Sequence, residues 1–210
     1  MVKIKAVSEI ISVVMIVVIS IGLISAAYMY GYPLIQKSQD KPALEKAISF
    51  FDIYNPSSLP KRIEFIANNG GEDSLTLDTQ GIWEVHPYDE NSNLNNSIIF
   101  YFFTKVTNIK SNQFISLTPG GECPPKEGIV GSDTSYVVCI KGEPIFDGIN
   151  ITYAVFFRGL KAPSGETYKI ALTTQDGVLK RSTGKTLRII RDSIDKLDNQ
   201  IITKIKIILS

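Results

Sequence analysis

The chain has 210 residues and carries 22 lysines and arginines against 21 aspartates and glutamates, so its net charge is +1 and nothing points to nucleic acid. One histidine and two cysteines, with no C-x-x-C, leave no ligand set for a zinc site, and no cofactor is expected. The length suits one membrane element plus one domain.

Residues 10–36 carry no charge and are mostly Ile, Val, Leu, Met, Ala and Tyr. Such a run crosses about 30 Å of hydrocarbon as one helix. Lys3 and Lys5 precede it and Lys37 is the first charge after it, which places the N-terminus inside and the body outside the cell. The apolar core is longer than that of a secretory signal, and Ser25, Ala26 and Ala27 are the small residues where a conventional cut could fall.

Glu9 stands at the head of this run. A carboxylate costs little among headgroups and about 2.5 kcal/mol or more near the bilayer centre, so a simple anchor tolerates it. Its neighbours say more: Lys5-Ala6-Val7-Ser8-Glu9, followed by an unbroken apolar helix, resembles the leader of archaeal type IV pilin-like proteins, the class III signal peptides. The resemblance covers the N-terminal region only. It implies that a prepilin-type peptidase cuts after Ala6, that residues 1–6 leave as a leader, and that Val7 becomes the mature N-terminus. Residues 7–36 would then serve first as a membrane span and later as an assembly helix among copies of this chain or related subunits. In a dry bundle the Val7 ammonium and the Glu9 carboxylate can neutralise each other or a neighbour's terminus. Negative charge is also favoured at a helix N-terminus, and Gly22, Ser25, Ala26 and Ala27 permit close helix approach.

After the span, Gly31-Tyr32-Pro33 is expected to interrupt the helix, because proline removes a backbone donor and disfavours helical geometry at the residue before it. Tyr28, Tyr30 and Tyr32 suit a membrane interface or a contact between subunits. Residues 36–42 read as a polar linker, and 43–54 as a short helix or first strand.

From there short β-branched and aromatic runs alternate with turn clusters such as NPSSLP, NNGGED and APSGE. The predicted strands are 49–54, 62–67, 74–77, 81–86, 97–104, 113–117, 135–140, 151–158 and 167–173. This texture predicts an antiparallel Ig-like β-sandwich over residues 43–178. Ile151, Tyr153, Val155 and Phe157 alternate, as in a sheet with one buried face. Outside the cell Cys123 and Cys139 would be oxidised to a disulfide, contributing about 3 kcal/mol in the chain-entropy model. Asn95 and Asn150 begin N-x-S/T sequons, and each is a plausible glycan acceptor.

Residues 180–210 hold eight basic residues against three aspartates, so the middle of the chain is mildly acidic. Leu187, Ile190, Ile194, Leu197, Ile201, Ile205 and Ile208 are spaced by threes and fours, which predicts an amphipathic helix within residues 182–210. It could dock on its own domain, on a partner or on a membrane surface. The final KIKIILS also alternates as a strand would. A terminal helix departs from the pilin-like pattern, whose members end in their β-domain.

Three features imitate chemistry. Ser182-Thr183-Gly184-Lys185-Thr186 looks like part of a phosphate-binding loop, but Leu179 stands where that loop needs glycine. Residues 89–95 begin like a calcium loop, but Leu94 replaces the turn glycine and Phe100 the bidentate glutamate. His86 has no nucleophile beside it in sequence. The expected fold class is therefore α+β: an N-terminal membrane or assembly helix, a β-sandwich and a C-terminal amphipathic helix. The expected function is structural and not enzymatic: a subunit of an archaeal surface filament displaying a β-domain for adhesion, with an envelope-layer or glycan ligand. The other expectation is a membrane-anchored binding module, or an archaellum accessory protein, that never polymerises. Both place the chain in the cell membrane or a surface filament.

Overall fold

The computed structural model describes residues 3–89, 95–105, 111–146 and 148–210, with backbone alone for residues 3–10, 36, 37 and 39. Helix α1 runs Lys3–Phe51 without interruption. The break expected at Pro33 and the linker expected over residues 36–42 are both corrected: this stretch is helical. Proline deletes one ladder bond, whereas ending the helix there would leave four carbonyls and, on restarting, four N–H groups without partners. The chain divides into two compact units, Met1–Lys41 and Pro42–Ser210.

Within the second unit, the last turns of α1 bury Ala47 and Phe51 in the core. The helix then gives way to a turn in which Asn55 donates to the Ser49 carbonyl and accepts from the Ser57 N–H, each at 3.0 Å. Residues 49–54, expected as a strand, are thus a helix end and a turn. Residues 62–67, also expected as a strand, lie in helix α2, Leu59–Asn69. Both periods are present there, since Ile63, Phe65 and Ala67 alternate while Leu59, Ile63, Ile66 and Ala67 follow helical spacing. Burial decides between them: Ile66 is buried and Phe65 is exposed. Pro60 at the helix start and Gly70 at its end, with φ +83° and its N–H on the Ile66 carbonyl, supply the two stops.

Among the described residues twelve strands follow, namely β1 (Glu72–Thr76), β2 (Ile82–His86), β3 (Ser97–Thr104), β4 (Ser111–Ser116), β5 (Gly128–Ile129), β6 (Tyr136–Ile145), β7 (Gly148–Phe157), β8 (Leu160–Lys161), β9 (Thr167–Thr173), β10 (Lys180–Ser182), β11 (Thr186–Leu197) and β12 (Gln200–Leu209). They form two six-stranded sheets, β1-β11-β12-β9-β8-β5 and β10-β2-β3-β7-β6-β4. The second is antiparallel throughout, but in the first β12 pairs with β9, and β5 with β8, in parallel. The all-antiparallel expectation is corrected accordingly.

The C-terminal amphipathic helix is also corrected: residues 186–209 form the hairpin β11–β12, turning at Asp198, whose φ is +44°. Leu187, Ile189, Ile205 and Ile207 face the core at a spacing of two. A register shift between Arg191 and Ser193 then inserts an extra residue. That bulge breaks the alternation and makes the apolar residues recur by threes and fours, which imitates a helix. A helix would set Asp192 one turn from Lys196; the hairpin instead forms cross-strand pairs, Lys204 with Asp195 at 2.7 Å and Lys206 with Asp192 at 3.9 Å.

One apolar core joins α1, α2 and the facing sides of both sheets. The ring of Phe51 stacks on Tyr153 at 4.6 Å, and Trp83 lies 4.4 Å from Phe100. Ile151, Tyr153, Val155 and Phe157 of β7 point into this core as their alternation predicts. The opposite side of the same strand is buried too, where Ala154 and Phe156 join Ile99, Val137 and Cys139.

Burial pushes the Tyr153 phenol up to about 12 from its ordinary value of 10. A raised phenol favours folding while the unfolded chain is also neutral, below about pH 10, and that contribution is lost as pH rises through the folded value. We expect stability to fall by about 3 kcal/mol between pH 10 and 12 from this group. Denaturant midpoints against pH, beside the tyrosinate absorbance of Tyr153→Phe, test this; an equally steep loss in that variant would contradict it.

Candidate functional site

The feature that most requires a partner is the first part of α1. Between Ile11 and Ile35 the large apolar side chains are 50% to 77% exposed, on every side of the helix. Helix residues Ile11–Phe51 contain a window of mean hydropathy 2.5, none of it buried by the protein itself, and the helix is long and apolar enough to cross a membrane. A helix that is apolar all round is covered by lipid or by other helices. Gly22 has open space where a side chain would stand, and Ala26 lies one turn further on. The rings of Tyr28 and Tyr32 stack at 5.4 Å, and the Ser20 hydroxyl donates to the Ile16 carbonyl at 2.7 Å. The backbone of the proposed leader junction at Ala6 and Val7 is helical. The side chains there, and the charge pair expected of Glu9, lie outside the described residues.

Cys123 and Cys139 form the expected disulfide, with Cα atoms 6.2 Å apart. Cys139 sits in β6 inside the smaller apolar cluster, so the bond pins the loop before β5 over the outer face of its sheet. A disulfide suits an oxidising compartment. Cys123→Ala with Cys139→Ala is expected to cost about 3 kcal/mol in urea unfolding. A loss under about 1 kcal/mol would show that the loop is held by packing alone.

The sequons differ in setting. Asn150 lies in β7 between Phe103 of β3 and Glu143 of β6, with its side chain half-buried. Asn95 is also half-buried and accepts the Asp89 N–H. Its neighbour Asn96, which the sequence reading passed over, is a buried link between the two sheets. Asn96 Nδ2 donates to the carbonyls of Phe157 at 3.1 Å and Ile170 at 2.7 Å, and Oδ1 accepts the Leu172 N–H at 2.8 Å. Its φ of +57° is a left-handed value that asparagine tolerates better than most residues. The only signal in the sequence was an asparagine ending a polar loop where β3 begins.

On the outer face of the antiparallel sheet Glu84 gathers three groups. It accepts from Tyr101 Oη at 3.0 Å and from Arg181 Nε at 3.1 Å, and His86 Nε2 lies 3.5 Å away. Burial, then the hydrogen bond to Glu84, pushes the Tyr101 phenol up to about 12. The cluster has no serine, cysteine or lysine nucleophile among the contacts that define it, and Arg181 already neutralises the carboxylate.

The residues 182–186 that imitate a phosphate loop lead into strand β11 and not into a helix, so no helix N-terminus faces them. Gly184 has another reason: a Cβ there would come within 2.2 Å of the Ser210 carbonyl oxygen. Residues 90–94 of the calcium-like run lie outside the described residues. Among the described residues no group of three or more His, Cys, Asp or Glu side chains could hold a metal ion.

The class that fold and site define is a disulfide-bonded, two-sheet β-domain carried behind a long apolar helix. No protein-family model, curated protein or solved structure matches the chain.

Proposed function

We propose that this chain is a pilin-like subunit of an archaeal surface filament. It is inserted through residues 7–36, trimmed after Ala6 by a prepilin-type peptidase, and assembled by packing the same helix against copies of itself or related subunits. The observation that carries this reading is the long helix whose apolar side chains are exposed on every side. Leaving lipid for a bundle keeps those side chains out of water, while Gly22 and Ala26 allow close backbone approach. The disulfide and the sequons at Asn95 and Asn150 suit a domain displayed outside the cell. Its surface then serves adhesion to an envelope layer or glycan. The domain has its own complete core, which supports the second reading, an anchored module or archaellum accessory protein that never polymerises.

Mass spectrometry of the purified chain is expected to show a mature start at Val7. An intact Met1, or a start beyond Ala26, overturns the pilin-like assignment. With the Val7 start established, sheared surface fibres are expected to contain the chain; fibres without it leave the anchored module. Glu9→Ala is expected to insert normally but to enter fibres at least tenfold less, since it leaves the Val7 ammonium unpaired in an apolar bundle.

A further inference from the structure

Asn150 opens the sequon Asn150-Ile151-Thr152 on β7, and the strand register sets it directly opposite Phe103 of β3. Residues opposed in this way share a face of the sheet, with Cβ atoms about 5 Å apart. Phe102 is buried in the core, whereas Phe103 points outward and is 50% exposed. Its ring leans over Gly148, where a Cβ would come within 2.2 Å of it. The glycine thus lets an aromatic ring lie against β7 two residues before the acceptor amide.

These two residues line a hollow of about 570 Å³ on the outer face of the antiparallel sheet, together with Tyr101, Glu84, Arg181 and Gln80. That volume falls within the roughly 300–1,000 Å³ of ligand sites. The hollow reaches from β7 across β3 to β2, roughly 10 Å at the spacing of paired strands. Its floor is aromatic and its far rim is planar and polar. Glu84 fixes that rim, accepting from Tyr101 Oη at 3.0 Å and from Arg181 Nε at 3.1 Å. The terminal amino groups of Arg181 remain as donors, on a side chain that is 61% exposed. This is the complement of a pyranose ring, whose C–H face suits the negative face of an aromatic ring and whose hydroxyls suit a guanidinium and an amide.

We infer that Asn150 carries an N-linked sugar whose first ring lies in this hollow, over Phe103 and toward Arg181. The acceptor itself names the occupant: a sugar bonded to Asn150 Nδ2 starts inside the hollow and is held there at high effective concentration. In the transfer, Nδ2 attacks the anomeric carbon of a sugar carried on an isoprenoid phosphate. The N–C bond forms as the C–O bond to phosphate breaks, the lipid phosphate leaves with the electron pair, and the amide proton passes to a base of the transferase. Thr152, the third residue of the sequon, is buried in the folded domain. Transfer therefore precedes closure of the sheet, and the sugar seats as β3 and β7 pair. The inference deepens the reading of a domain displayed outside the cell and rests on it.

The test uses the full chain purified from membranes of a host that N-glycosylates exported proteins, beside the same chain from a host that does not. Peptide mass spectrometry of the first sample is expected to find the Asn150 peptide heavier by one or more sugar residues. A bare Asn150, or sugar on Asn95 alone, overturns the inference. In that sample Asn150→Gln is expected to lower the thermal midpoint by roughly 2–4 °C. In a Phe103→Ala background the same change is expected to cost less than about 1 °C, because the seat is already gone. Phe103→Leu, which keeps apolar bulk over Gly148, repeats the cycle with the same expectation. An equal loss in all three backgrounds overturns the seat. An equal loss in the chain from the second host assigns Asn150 to the fold and overturns it too. The N-terminal mass of the first sample keeps this inference apart from the pilin-like reading. A Val7 start with a bare Asn150 removes only the sugar, and sugar on Asn150 of a chain retaining Met1 removes only the leader.

Discussion

Asn96→Asp is expected to destabilise the β-domain by about 4 kcal/mol at neutral pH, enough to unfold a marginal protein. The change keeps side-chain shape and the oxygen that accepts the Leu172 N–H. It replaces two donated hydrogens with a carboxylate facing the carbonyl oxygens of Phe157 and Ile170. Those carbonyls lose their partner and the charge is buried without a counter-ion, each a loss of about 1–3 kcal/mol or more. Asn96→Gly separates side chain from backbone, because glycine keeps the positive φ while removing all three bonds. Urea unfolding of the full chain measures both. If Asn96→Asp costs less than about 1 kcal/mol, the link between the sheets is not a principal support.

Phe51→Ala is expected to cost a similar amount, about 4 kcal/mol, because it removes a large buried ring and leaves a cavity. Phe51 is 1% exposed, stacks on Tyr153 at 4.6 Å, and lies 6.0 Å from Trp83 and 6.2 Å from Phe100. Phe51→Leu fills most of the space and is expected to cost about 1 kcal/mol. Trp83 is the one tryptophan in the chain and lies in this cluster, so its fluorescence reports the site directly. A red shift is expected in Phe51→Ala and not in Phe51→Leu. Unchanged emission in both would mean that the cluster closes over the missing ring.

The core that these two substitutions probe was partly legible in the sequence. The alternation in β7 announced its inward face, and the bounds of β3 and β9 coincide with the strands expected at 97–104 and 167–173. The pairing of Cys123 with Cys139 followed from there being two cysteines in a body expected to lie outside the cell. Where two periods coexisted, the reading failed. Residues 62–67 satisfy both alternation and helical spacing, and only the burial of Ile66 with Phe65 outside selects the helix. In β11 the bulge between Arg191 and Ser193 shifts the apolar face midway, and the remaining spacing suggested a helix that is not there.

The candidate site divides in the same way. The apolar helix is a property of composition, since a long uncharged stretch has one way to satisfy its backbone groups in lipid, and that requires no tertiary contact. The resemblance of residues 5–9 to a leader is likewise carried by local sequence alone. Asn96 is different: nothing about an asparagine in a polar loop marks it as special. It matters because two sheets meet around its amide. Sequence by itself determined the features written in local composition and spacing, namely the long apolar run, the inward face of β7 and the presence of one cysteine pair. Only tertiary structure decided the rest, because burial selects between competing periods and brings together groups that lie far apart along the chain.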